Sequence, residues 1–407
     1  MKSDRARLPA FLRPETDGVR FSGRKHWSQT LFAGGGSLAL LGASFGSRPI
    51  SEVECGPRKA PVDMKHSRRS FLQTAGAAGV LAAVGQVGTT AAHSNPDQGV
   101  RPFHCVQIDV FTSRRLEGNP LAVFTDARGL SDSEMQGLAR ETNLQETTFV
   151  FPRDRAVERE RGVKVRIFIP EEEIPFAGHP TLGTAMVLRN RQLAEVKGSH
   201  DGSSAVSEIA LDLQVGKIPV VFRDDASGHA FAEMRQIDPV FGATHDRATV
   251  ASLVGVKPDE IGDDGPIQTV STGIPFAIVP LKRLSTLQSL SPDLPKIRSY
   301  FANEKILTDF YYITRDTQDP DVGLRSRGIY YTSGGEDPGT GAAAGCTASW
   351  MVRYGVFPAG QTVHILQGVE IKRPSQIFVR AEKKSEKIVN VRVGGNAVEI
   401  MEGDFSL

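Results

Sequence analysis

Two stretches of this chain hold residue types that can bind an anion and handle a proton. The first is Phe176-Ala-Gly-His-Pro-Thr-Leu-Gly183, continuing through Thr184-Ala-Met-Val-Leu188. Gly178 permits a close backbone approach, and Pro180 suits the first turn of a helix, where its missing N–H costs nothing. From Thr181 onward the residues are small and apolar on every side, which is the pattern of a buried helix. A glycine turn feeding such a helix presents unpaired N–H groups and the positive end of a dipole, and such a place binds anions. His179 stands at its lip. The second stretch, Glu336-Asp-Pro-Gly-Thr-Gly-Ala-Ala-Ala-Gly-Cys-Thr-Ala-Ser-Trp-Met351, repeats the plan. It is acidic, then Pro, Gly and Thr, then a helix of small residues.

Bulk composition narrows the function classes. A length of 407 residues suits two domains once a leader is set aside. The formal net charge of +1 gives no electrostatic case for nucleic acid as a partner. A hydrophobic content of 40% is ordinary for a globular core. Cys55, Cys105 and Cys346 are odd in number and scattered, which argues against a disulfide framework and leaves no CxxC site. The nine histidines show no ligand spacing, so no metal is expected.

The elements that must position the two stretches begin well into the chain. Residues 64–93 read as a twin-arginine signal peptide: Ser67-Arg-Arg-Ser-Phe-Leu72, a short apolar run from Ala75 to Val87, then Thr89-Thr-Ala-Ala92. The run is shorter than the roughly 20 residues of a membrane span, so no span is expected in the mature protein. Residues 1–63 read as an upstream extension without structure of its own. Export to the periplasm follows as an expectation, with retention in the cytoplasm as the alternative.

Alternation and β-branched content predict strands at His104–Phe111, Leu121–Phe124 and Gln145–Phe151. Between them Ser131-Asp-Ser-Glu134 opens a helix with a capping box, ending near Asn143. An arginine-rich stretch, 153–161, reads as a polar loop. Strand patterns recur at Val206–Val221, Gln268–Pro280 and Thr308–Thr314; Phe231–Gln236 starts a second pass through the same plan, Arg325–Tyr331 precedes the second acidic-glycine stretch, and three more strands close the chain from His364, Gln376 and Val389. Helices are predicted at Thr249–Val254 and Leu284–Ile297. Each half thus sets strands before and after one buried helix.

Gly118-Asn-Pro-Leu-Ala-Val-Phe124, Asn143-Leu-Gln-Glu-Thr-Thr-Phe149, Phe176-Ala-Gly-His-Pro-Thr-Leu-Gly183, Ser271-Thr-Gly-Ile-Pro-Phe276 and Glu336-Asp-Pro-Gly-Thr-Gly341 together resemble the signatures of the PhzF-like (phenazine biosynthesis) isomerase family. They stand in the family's order over roughly 104–407. The resemblance implies an α/β (α+β) diaminopimelate-epimerase-like fold of two pseudo-symmetric domains, each a sheet wrapped around a central helix. By that reading, 103–225 completed by about 399–407 forms the N-terminal domain and 226–398 the C-terminal one. It also implies a homodimer and cofactor-independent proton transfer, the namesake reaction being isomerisation of trans-2,3-dihydro-3-hydroxyanthranilate.

Carried onto this chain, the resemblance makes Glu146 the acid/base group, with His179 and Asp337 as its catalytic partners. From composition alone Glu146 reads as a surface strand residue, and the motif reverses that. A carboxyl can lift a proton and return it elsewhere when burial raises its pKa towards the working pH. His179 at a helix start tends to stay neutral. Asp337 is suited to binding a substrate amino group, to sharing a proton, or to capping the second helix. Gly178, Gly183, Gly339, Thr340 and Gly341 are the candidate contacts to a small carboxylate substrate, although close packing would also explain the glycines. Ala342 stands where the namesake enzyme has a serine, which puts the namesake substrate in question. Ala177 and Pro338 stand where thiol epimerases of this fold have cysteines, which disfavours a two-thiol racemase. A non-catalytic binder of small acids and a non-thiol epimerase remain as alternatives.

Overall fold

Two helices organise the fold, the first apolar on every side in its opening turns and the second buried almost throughout. The computed structural model describes residues 99–198, 207–225, 227–304, 307–332 and 335–407, the side chains of 193–198 apart. The leader and upstream extension lie outside the described residues. The first central helix spans Gly178–Gly198, ten residues beyond the Leu188 limit of the sequence pattern. The second spans Gly341–Arg353, and every residue from Gly341 to Met351 in it is buried. Their small side chains let strands approach from all sides, so burial rather than helix propensity holds them.

The strands around the two helices follow one plan twice. In the first half Pro102–Val110 pairs antiparallel with Asn119–Phe124, which runs parallel to Glu146–Phe151. That strand is antiparallel to Val163–Phe168, which meets the short Glu173–Ile174 antiparallel and Glu208–Leu213 in parallel, before Gly216–Asp224 turns back. In the second half Gln268–Ser271 pairs antiparallel with Pro275–Leu281, which runs parallel to Asp309–Thr314. That strand is antiparallel to Leu324–Tyr330, which meets the short Gly335–Asp337 antiparallel and Val363–Gln367 in parallel, before Ser375–Lys384 turns back. The pseudo-symmetry is one of pairing as well as of motif. A long last strand, Lys387–Ser406, joins the halves, pairing with Ser375–Lys384 at its start and with Pro102–Val110 at its end.

Local reasoning holds where a side chain caps or alternates. Ser131 and Glu134 form the predicted capping box, and Asn143 ends that helix in the left-handed region at φ 50°. Two expectations are corrected. The stretch read as an arginine-rich loop contains a helix, Arg155–Arg161. It buries no residue, so it shows no apolar periodicity, yet arginine, alanine and glutamate are good helix formers. The helix expected over Leu284–Ile297 is two, Leu284–Gln288 and Leu294–Tyr300. Pro292, lacking an N–H, sits in the break. Among the described residues no helix is long and apolar enough to cross a membrane.

Candidate active site

The two helix starts touch. A Cβ placed on Gly178 would stand 2.7 Å from Ala342 N and from both Gly341 C and Gly341 Cα. Helix geometry leaves the N–H groups of Gly178 and His179 on one side, and of Gly341, Ala342 and Ala343 on the other, without intrahelical acceptors. Both positive dipole ends therefore converge on one place, as an oxyanion or carboxylate requires. A cavity of about 720 Å³ opens there, lined by Glu146, Gly178, His179, Asp337, Thr340, Gly341 and Ala342. Among the described residues no arginine or lysine lines it. Ile174, Ile274 and the exposed Leu307 line it too, together with the acidic run Glu171, Glu172 and Glu173.

Glu146 opens its strand directly after the turn that follows Asn143, which aims its side chain at the helix starts. Its Oε2 lies 3.5 Å from His179 Nε2. Neither atom has another hydrogen-bond partner, although both are buried. Burial first, and repulsion from Asp337 second, raise the Glu146 pKa well above 4.5. Burial likewise pushes His179 down to about 3, opposed in part by the Pro120 carbonyl. Desolvation thus favours the neutral ring.

Asn119 is the functional residue that sequence reasoning missed. It is fully buried, and its Nδ2 contacts Asp337 Oδ1 at 2.7 Å, the Gly339 carbonyl at 3.0 Å and His179 Nδ1 at 3.1 Å. It therefore ties the first helix start to the second. The only sequence signal was the Gly-Asn-Pro motif, which reads as a turn. If Nδ1 of His179 accepts from Asn119, the ring hydrogen sits on Nε2 facing Glu146. If Nδ1 instead donates to the Pro120 carbonyl, Nε2 presents a lone pair to Glu146.

Asp337 is not the helix cap; Thr340 occupies that position. The Thr340 hydroxyl receives hydrogen bonds from Tyr330 OH at 2.7 Å and Gln367 Nε2 at 2.9 Å, so its own hydrogen goes to Asp337 Oδ2 at 2.5 Å. Gln367 also accepts from Thr340 N at 3.0 Å and donates to the Asp337 carbonyl at 2.8 Å, which fixes the turn. Burial raises the Asp337 pKa, while Thr340, Gly339 and Asn119 lower it. Of the two buried carboxyls, Asp337 is surrounded by donors and Glu146 Oε2 has none. The geometry favours the anion on Asp337 and the proton on Glu146.

Two of the predicted contacts do not line the cavity. Gly183 faces the core, where a Cβ would meet Leu121 and Val110 at 2.7 Å, so it is a packing glycine. Gly339 contributes its carbonyl to Asn119. Cys346 lies inside the second central helix, its thiol pushed up to about 11 by burial, and Cys105 lies in the first strand at about 12. Neither thiol is at a helix start.

With this geometry in hand, the chain can be set beside known proteins. A family model described as phenazine biosynthesis-like protein matches residues 108–403. The trans-2,3-dihydro-3-hydroxyanthranilate isomerase of Pseudomonas chlororaphis is 35% identical over 306 residues, covering 75% of this chain and 99% of that protein. The protein of the same name from Pseudomonas aeruginosa is 33% identical over 309 residues, covering 73% and 97%. The crystal structure of a PhzF-family phenazine biosynthesis protein from Bacillus anthracis superposes with a TM-score of 0.65 at 26% identity, covering 75% of this chain and 99% of that one. The fold is the diaminopimelate-epimerase-like α+β architecture that the motifs implied.

Proposed function

The chain belongs to the phenazine biosynthesis-like (PhzC-PhzF) family, and from that premise we propose that it is a cofactor-independent isomerase that moves a proton within a small amino or hydroxy acid. The observation that carries the reading is the unpartnered, buried Glu146 Oε2 facing neutral His179 where two helix starts meet. The substrate carboxylate, or the negative charge that develops on proton removal, sits against the free N–H groups. Glu146, its pKa raised towards the working range, is the acid/base group of the shuttle. His179 steadies a substrate hydroxyl or relays the Glu146 proton, and Asp337 stays the anion beside it. Incorporation of solvent deuterium into product during turnover, dependent on Glu146, tests this.

The substrate resembles trans-2,3-dihydro-3-hydroxyanthranilate, for which the Pseudomonas relatives are named. Ala342 lines the cavity where the resemblance expects a serine. Ala342→Ser is expected to raise kcat/KM on that compound by about 10-fold, through one added hydrogen bond that strengthens in the transition state. An unchanged value would show that the hydroxyl is not what separates this enzyme from the namesake. The same missing hydroxyl supports a second reading, a binder that protects a small acid without exchanging its C–H protons.

The proposal extends to the rest of the chain. The domain limits 103–225 with 399–407, and 226–398, are taken from the motif pattern, and a homodimer from the family resemblance; sedimentation reads the latter. Export by residues 64–93 predicts a mature N-terminus near Ala92 outside the cytoplasm. N-terminal sequencing that found the leader intact on cytoplasmic protein would count against it.

A further inference from the structure

The two halves repeat strand for strand, and the repeat makes Asp309 the counterpart of Glu146. Each is the first residue of the strand that runs parallel to the second strand of its half, Glu146 opposite Leu121 and Asp309 opposite Phe276. Both line the same cavity. Asp309 is 4% exposed, on a strand whose other residues are all buried, so its carboxyl is retained at a desolvation cost. Building on the isomerase reading, we propose that Asp309 touches the substrate and selects for a hydrogen-bond-donating substituent, an amino or hydroxyl group. That group would lie on the wall contributed by the second half.

The hydrogen bonds leave room for this contact. Asp309 Oδ1 accepts from Tyr331 N at 3.2 Å, and Oδ2 accepts from Thr332 Oγ1 at 2.7 Å and Thr332 N at 3.4 Å. A carboxylate offers about four acceptor positions, so one remains on Oδ1. Arg298, a cation whose charge bears on Asp309, is engaged with the Tyr331 carbonyl at 3.0 Å and does not line the cavity. Leu307, Ile274 and Phe276 supply apolar wall beside it, where a hydrogen bond to a charged acceptor is strengthened. Burial pushes the Asp309 carboxyl up to about 6, which leaves it an acceptor at neutral pH. Glu146 and Asp309 thus divide the cavity: one wall reacts and the other recognises.

Calorimetric titration of the full-length protein tests the assignment, using 3-hydroxyanthranilate, 3-hydroxybenzoate (which lacks the amino group) and anthranilate (which lacks the hydroxyl). Wild type should bind 3-hydroxyanthranilate at least about 10-fold tighter than the weaker of the other two. Asp309→Asn, or Asp309→Ser should that variant not fold, should bring the affinities within about two-fold of each other. Arg298→Met loosens the same turn but leaves the carboxyl; it should lower the thermal midpoint and keep the discrimination. Discrimination that survives in the Asp309 variants, or collapses equally in Arg298→Met, overturns the proposal. Wild type that binds 3-hydroxyanthranilate without preference overturns it too, and leaves the isomerase reading standing. No binding of 3-hydroxyanthranilate at all overturns both.

Discussion

Glu146→Gln is expected to lower kcat by about 10³-fold, with KM little changed and solvent deuterium no longer entering the product. The amide keeps the shape and still faces His179 Nε2, so binding geometry survives while the acid/base group is gone. A variant that kept full turnover and deuterium incorporation would sink the assignment. The same substitution should stabilise the protein at alkaline pH. Unfolded, the carboxyl ionises near its ordinary 4.5; folded, burial and Asp337 hold its proton to well above that. Across that window the native state binds a proton that the unfolded chain has lost, so stability falls as pH rises. Glutamine has no proton to lose. The thermal midpoint of the variant should therefore fall less steeply than that of wild type from mildly acidic to alkaline pH. A residue that limits alkaline stability is then the one proposed to move the proton.

Gly178→Ala should be nearly as damaging to activity without removing any reactive group. Its Cβ would meet three backbone atoms of the opposite helix start at 2.7 Å, closer than real Cβ contacts allow, and backbone cannot swing aside as a long side chain can. The two starts must separate, which moves His179 from Asn119 and the free N–H groups from each other. Displacements of that size typically reduce kcat/KM by about 10²-fold, and overpacking costs about 1–3 kcal/mol. Gly178 is not among the glycines of positive φ, so space and not backbone conformation is the constraint. Gly137→Ala is the matched control. It lies in the helix Asp132–Thr142 with nothing within 4 Å of a new Cβ, and should stabilise by about 0.5–1 kcal/mol with activity intact. Wild-type kcat/KM in Gly178→Ala would show that the touching helix starts do not set the site.

Sequence reasoning reached the two helix starts because glycine, proline and a change of hydrophobic period are local signals. It reached Glu146 only through the order of motifs, since nothing local tells a buried strand glutamate from an exposed one. Asn119 was beyond it. Its role is a three-way contact among residues up to 220 positions apart, and an asparagine between glycine and proline looks like a turn residue. Gly183 shows the reverse failure: a glycine in a functional motif that serves packing against Leu121 and Val110. Asp309 was passed over because a strand's first residue gives no clue to what it faces. Only the shared pairing plan of the halves brings it out.

The strand Pro102–Val110 has its second neighbour in the final residues, with Pro102 opposite Ser406, while Arg101 and Leu407 exchange both backbone hydrogen bonds. On the ribosome that strand emerges well before the stretch it pairs with. Contacts such as His104 to Asp404 span 300 positions, so the first half keeps an open sheet edge until that stretch has been made. Co-translational folding of that half is therefore disfavoured before residues 397–406 emerge.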